Sequence, residues 1–342
     1  MSTTIDFRSD TVTKPTPEML EAMLAAEVGD DVFGEDPTIK KLEQELADML
    51  GMEAGLFCPS GTMTNQIAIR LHTQPQDEVI CDKRSHIYLY EGGGIAANSL
   101  VTPCLLNGDR GRITAAHLLE NIKPDDIHAP VSRLVSLENT MNKGGGCCYD
   151  FSEIEAIQKV CREHNLALHL DGARLFNALV KTGDEPKSYG NVFDTISICL
   201  SKGLGAPVGS ALLMSNALKP KALRIRKVFG GGMRQAGYLA AAGLYAIRNH
   251  VHRLSEDHEK AEHLEQTLKG LSWVESVMPV ETNIVIFTPE KTMDQKVVMD
   301  ALKNVGILAV PFGPRDIRLV THLDISDDHM DLAEKGLRQL EF

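Results

Sequence analysis

Short apolar runs and helical stretches take turns along the chain. Thr16-Pro17-Glu18 reads as a helix start, with Thr16 as N-cap and Pro17 at the first helical position. A second start falls at Asp36-Pro37; Ile39, Leu42, Leu46 and Met49 follow at helical spacing, and Gly51 ends it. Ala54–Cys58 then reads as a strand leading into a helix near Thr62, and Arg133–Leu137 as a strand before a helix at Phe151–His164. Leu166–Leu170 and Thr195–Leu200 are further strands, and this alternation predicts a mostly parallel sheet flanked by helices. Gln235–Gly270 reads as one long or broken helical stretch, which suits a connector better than one helix of a compact domain. Beyond it, strand-like Thr282–Phe287 and Ile307–Pro311 surround a helix near Met293–Asn304, followed by Asp316–Val320 and a last helix from Ser326. The expected organisation is an N-terminal arm over 1–15, a large domain over 16–248 and a smaller C-terminal α/β domain over 249–342.

The 342 residues suit two domains. Hydrophobic residues at 43% and charged ones at 24% exclude a disordered chain, a coiled-coil rod and a collagen-like fibre. The formal charge of −12 argues against a nucleic-acid coat and against binding to anionic membranes. No apolar run is long enough to span a bilayer, and no signal peptide is visible at the N-terminus. The seven cysteines include the adjacent Cys147-Cys148 but no C-x-x-C pair. Neither a zinc site nor a disulfide framework is expected, and no metal; thiols in a reducing compartment point to the cytoplasm.

In open α/β sheets ligands gather beyond the carboxyl ends of the strands. Those ends carry Pro59-Ser60-Gly61-Thr62, Glu138-Asn139, Asp171-Gly172-Ala173-Arg174 and Ser201-Lys202-Gly203. The first follows a strand and opens a helix, so its free N–H groups suit a phosphate; ordinary capping by Ser60 or Thr62 is the alternative, and neither a Walker nor a Rossmann spacing is present. Lys202 ends an apolar strand, where a desolvated amine can attack a carbonyl to form a Schiff base, although most lysines are surface charges. Asp171 is either a turn residue or the partner of a protonated ring nitrogen. Together these groups meet the requirements of pyridoxal 5'-phosphate. Arg174 would then face the cofactor phenolate or a substrate carboxylate, and Arg318 either clamps that carboxylate or makes a surface salt bridge.

The chain resembles the low-specificity L-threonine aldolases, fold-type I pyridoxal-phosphate enzymes related to the β-eliminating lyases. The resemblance rests on Asp6 to Thr13, Gly29 to Thr38, Pro59 to Asn65, Ser85 to Tyr88, Leu137 to Thr140, His169 to Arg174, Leu200 to Ser210, Gly230 to Gln235 and Arg318 to Asp324. It implies Lys202 as the imine lysine, Asp171 at the pyridine nitrogen, and Gly61 with Thr62 on the phosphate. It further implies Ser9, Arg174 and Arg318 on the substrate carboxylate, His86 over the cofactor, and Arg234 reaching a phosphate across a subunit boundary. Relatives of this kind are tetramers built from dimers with shared active sites, which would put the N-terminal arm and the Phe33 loop in an interface.

Two positions depart from the family pattern. Met141 stands where many members carry a histidine expected at the substrate β-hydroxyl, and Phe33 replaces a tyrosine. Both make the pocket more apolar, so weaker β-stereochemical discrimination is expected unless the two residues merely pack. The activity implied is retro-aldol cleavage of L-threonine, L-allo-threonine and related β-hydroxy-α-amino acids to glycine and an aldehyde. With Met141 in place of histidine, His86 or a water it holds is the leading candidate for the base, and Glu91 the second. The rivals are a β-eliminating lyase that releases pyruvate and ammonia, and a non-catalytic binding protein. Cys147-Cys148 and the histidines of the connector (His250, His252, His258, His263) are read as interface or solvent-facing residues.

Overall fold

The computed structural model describes residues 4–342. Thirteen strands follow in chain order: β1 (Ile5–Asp6), β2 (Ala54–Cys58), β3 (Asp77–Asp82), β4 (Thr102–Leu106), β5 (Val131–Glu138), β6 (Ala167–Gly172), β7 (Thr195–Cys199), β8 (Ser210–Met214), β9 (Val274–Val277), β10 (Ile284–Pro289), β11 (Ile307–Leu308), β12 (Val310–Pro311) and β13 (Ile317–Val320). Seven form one sheet in the order β2-β8-β7-β6-β5-β3-β4, parallel except for β8, which runs against both neighbours. β2, β3, β7 and β8 are buried along their whole length, as a sheet covered on both faces requires, and β2 and β8 are near-continuous apolar runs. β12-β13-β10-β9 form an antiparallel second sheet.

The helix starts read from the sequence form. Thr16 caps the helix Pro17–Leu24, accepting from the Met19 N–H, and Asp36 caps Pro37–Leu50, which ends on Gly51 at φ +70°. The Gln235–Gly270 stretch is broken: one helix spans Gly237–Asn249 and a second Leu254–Lys269. The first packs with the large-sheet core, whereas Ala261, Leu264 and Leu268 of the second join the core of the small sheet. The second helix is therefore structural rather than a spacer. Two of the connector histidines expected at an interface or in solvent are corrected too. His250 is buried with Nδ1 2.8 Å from the Leu204 carbonyl, and His258 is buried with Nε2 3.0 Å from Asn177 Oδ1. Burial pushes His258 down to about 4, so it is a neutral bridge between the two helical layers. Cys147 and Cys148 are likewise buried, not solvent-facing, where desolvation raises both thiols.

The first residues of the chain cross to the far end of the fold. β1 pairs in parallel with β11, and Ile5 and Phe7 are buried in the second core. These two side chains are consumed within their own chain rather than held out as an interface arm. The crossing places Ser9 and Asp10 between the two sheets.

Candidate active site

Between the two sheets lies a cavity of about 330 Å³, lined by Ser9, His86, Arg174, Lys202 and Arg318, all expected from the sequence, and also by Tyr90, Glu138, Asn142 and Phe312. The large sheet supplies its floor. Glu138 at the end of β5 is paired in register with Asp171 at the end of β6, and Lys202 follows β7. The Gly61 turn closes the same edge: a Cβ there would lie 3.2 Å from Cys199 Sγ, at the end of β7. Ser60 caps the helix Gly61–His72 by accepting from the Met63 N–H, which leaves the exposed Thr62 and the first N–H groups free for an anion.

Charge is distributed unevenly across the cavity. Asp10 receives Arg174 Nε and Nη2 at 2.7 Å each, a buried two-pronged pair. Burial works against the Asp10 charge, yet the Arg174 guanidinium wins and holds its carboxyl well below the usual range. Arg318 has no such carboxylate. Its Nη1 donates to Asn142 Oδ1 at 2.9 Å and its Nη2 to the Arg8 carbonyl at 3.0 Å, while its Nε is buried without a partner among the described residues. Burial first, and the field of Arg174 second, bring Arg318 down to about 10. Two guanidiniums thus share one internal counter-ion, and an incoming carboxylate would supply the second. Arg318→Gln is expected to raise KM for an amino-acid substrate about 10- to 100-fold, as the loss of a charged hydrogen bond would do, with kcat changed less. Steady-state kinetics check this.

His86 sits at the first residue of the helix His86–Leu89. Its Nδ1 lies 3.0 Å from Glu91 Oε1, and because a carboxylate can only accept, Nδ1 carries the proton. Burial lowers its basicity, but the bond to Glu91 and the charges of Asp171 and Glu138 outweigh this, so the imidazole is raised above its ordinary value. Glu91 is itself buried behind the ring and is held by Asn65, Gln66 and His86, so it orients His86 rather than facing a substrate. Burial and the neighbouring Asp171 raise Glu138, against the pull of backbone N–H groups from Asn142 and His86.

Six expected residues do not line this cavity: Gly61, Thr62 and Asp171 stand at the sheet edge behind it, and Met141, Phe33 and Arg234 are placed elsewhere. Met141 is fully buried and packs on Gly111, where a Cβ would meet its Cε at 2.5 Å, so its thioether points into the fold instead of the pocket. Phe33 lies on the short turn Asp31–Phe33 and is 74% exposed. Arg234 is 56% exposed and pairs with Asp30 at 3.0 Å. The residues that sequence reasoning missed are Asp10, Asn65, Tyr90, Asn142 and Phe312. Asp10 and Asn65 lie inside quoted motifs, beside residues that were singled out; Phe312 carried no signal of its own.

These groups fit pyridoxal phosphate: a cavity-lining lysine, a buried aspartate at the adjacent strand end, an open helix N-terminus and an orphaned guanidinium nitrogen. Fold and site together define a class, the fold-type I pyridoxal-phosphate enzymes. Its small domain closes on the carboxyl edge of a large mixed sheet. Within that class the chain belongs to the beta-eliminating lyase family, whose sequence model matches residues 6–292. It is 43% identical over 329 residues to the low specificity L-threonine aldolase of Escherichia coli K12, covering 95% of this chain and 96% of that one. It is 45% identical over 293 residues to the low specificity L-threonine aldolase of Saccharomyces cerevisiae, covering 82% and 73%. The Leishmania major threonine aldolase structure superposes with a TM-score of 0.84 at 24% identity, covering 98% of each chain.

Proposed function

We propose that this chain cleaves L-threonine, L-allo-threonine and related β-hydroxy-α-amino acids to glycine and an aldehyde, using pyridoxal phosphate. The observation that carries the reading is the cavity in which Lys202 faces two guanidiniums with one internal counter-ion. When bound, the cofactor supplies a carbonyl that condenses with amines and a ring that accepts the electrons of the broken Cα–Cβ bond. Lys202 presents its amine at the strand end to anchor it. The Asp171 carboxylate would hold a proton on the pyridine nitrogen, and the N–H groups and hydroxyl of Gly61 and Thr62 would hold the phosphate. Ser9, Arg174 and Arg318 bind the substrate carboxylate, which fixes the orientation of the Cα–Cβ bond.

His86 is the base in this reading. With Nδ1 donating to Glu91, the neutral ring keeps Nε2 as the acceptor that takes the β-hydroxyl proton. Because the imidazole is raised, the rate should climb with pH as that proton leaves, with its midpoint above the ordinary histidine value near 6.5. Incubating the protein with pyridoxal phosphate and each threonine diastereomer tests the reaction. Equal glycine and acetaldehyde are expected; pyruvate and ammonia would instead identify the β-eliminating activity that the family name carries.

A homotetramer with shared sites is part of the same proposal. Phe33, Val228 and Leu24 are large exposed apolar side chains, and a second copy would bring Arg234 and Phe33 toward a neighbouring site. No helix among the described residues is long and apolar enough to cross a membrane. Seven free thiols support a cytoplasmic location.

A further inference from the structure

Behind the cavity, four buried or half-buried side chains form a continuous hydrogen-bonded line between the helix Gly61–His72 and the central strands β7 and β6, ending at Asp171 and Glu91. His72, the last residue of the helix Gly61–His72, has Nε2 3.1 Å from Thr195 Oγ1 at the start of β7. That hydroxyl lies 2.9 Å from His169 Nδ1 in β6. His169 Nε2 lies 3.1 Å from Asn65 Oδ1. Asn65 Nδ2 then donates both to Asp171 Oδ2, at 2.9 Å, and to Glu91 Oε1, at 2.8 Å.

The partners at the Asn65 end fix the direction of this line. Two carboxylates accept and cannot donate, so the Asn65 NH₂ must face them and its carbonyl must face His169. His169 Nε2 therefore carries a proton. Burial pushes His169 down to about 4, so the ring is neutral; with Nε2 protonated, Nδ1 accepts from the nearer Thr195 hydroxyl at 2.9 Å, with the Thr195 carbonyl beside it at 3.2 Å. That leaves the hydroxyl oxygen to accept from His72. Every donor points the same way, toward Asp171 and Glu91, and none of the four side chains lines the cavity.

We propose that Asn65 and His169 are positioning residues: this one-way line delivers a fixed amide NH₂ to Asp171 and Glu91 at once. It fixes the Asp171 carboxylate toward the cofactor ring nitrogen and the Glu91 carboxylate under His86. The purpose rests on the pyridoxal-phosphate reading; the proton arrangement does not. Without that NH₂ both carboxylates would lose a buried donor, and Asp171 would be free to turn away from the ring nitrogen. The Ala173 N–H at 3.2 Å from Asp171 Oδ1 steadies the other oxygen.

The test uses purified holoprotein in two ¹⁵N NMR samples, one labelled in histidine and one carrying labelled cofactor. His169 is expected as the Nε2–H tautomer, neutral down to about pH 5; the Nδ1–H tautomer or an imidazolium at pH 7 overturns the proposal. That measurement needs no variant, so a substitution that fails to fold cannot shelter the idea. In Asn65→Leu and His169→Phe the ring-nitrogen signal should move toward its deprotonated position, and kcat should fall about 10- to 100-fold with little change in KM. A folded Asn65→Leu protein with an unchanged ring-nitrogen signal overturns it. Asp171→Asn separates the two readings. If that variant also leaves the ring signal unchanged, the assignment of Asp171 has failed and the positioning role falls with it, whatever the His169 tautomer.

Discussion

Lys202→Ala is expected to lower glycine and acetaldehyde formation from L-threonine by at least about 10³-fold while leaving the fold intact, because the amine is a reacting group and not a structural one. What Lys202 gives the structure is its backbone: its carbonyl accepts from Thr13 Oγ1 at 3.0 Å and from the Gly205 N–H at 2.8 Å, both of which alanine keeps. Its side chain lines the cavity. Lys202→Arg should fail almost as badly, since it restores the charge but not an amine able to condense with a carbonyl. Circular dichroism and thermal unfolding of both variants should match the parent. A Lys202→Ala protein that turns over at the parent rate would remove the lysine from the chemistry, and one that unfolds would show that the side chain was holding the edge together.

The sequence made the large domain legible because its signals were local. Thr16, Asp36, Ser60 and Ser326 are caps that the chemistry of the helix start demands, and all four accept from an N–H of the first turn. β2 could be read to the residue, since a five-residue apolar run has room for little else. β3, β4 and β8 were not read as strands, and β4 carries the exposed Thr102 and Leu105 that blur its pattern. The break at His250–Arg253 carries no proline or glycine, and nothing in the periodicity announces it. At the site, residues at strand ends were found because the ends of a parallel sheet gather ligands. Asp10 and Asn65 were missed because their roles depend on partners more than 100 residues away. Met141 shows the converse. A family position identifies the backbone place, but Gly111 decides where the side chain goes, and it goes inward.

Asp10→Ala is the substitution expected to cost the most stability, about 3–5 kcal/mol, because it removes one half of a buried ion pair and strands the other. Arg174 would lose both of its 2.7 Å bonds and Asn283 Nδ2 its 3.2 Å contact with the same carboxylate. Arg318, already lowered by burial and by Arg174, would then face a second guanidinium with no internal counter-ion. The pH dependence follows from the sign of the Asp10 shift. The folded carboxyl is held below its unfolded value of about 3.9, so its contribution is full above that pH and is lost as the pH falls toward the folded value. Denaturant unfolding should therefore show a constant gap between parent and Asp10→Ala at neutral pH that narrows below about pH 4. Glycine offers the sharper discrimination. Its carboxylate can serve as the missing counter-ion, so saturating glycine should stabilise the variant more than the parent if Arg174 and Arg318 form one anion site. Equal stabilisation would mean that the Asp10–Arg174 pair fastens the N-terminal segment and takes no part in binding the carboxylate.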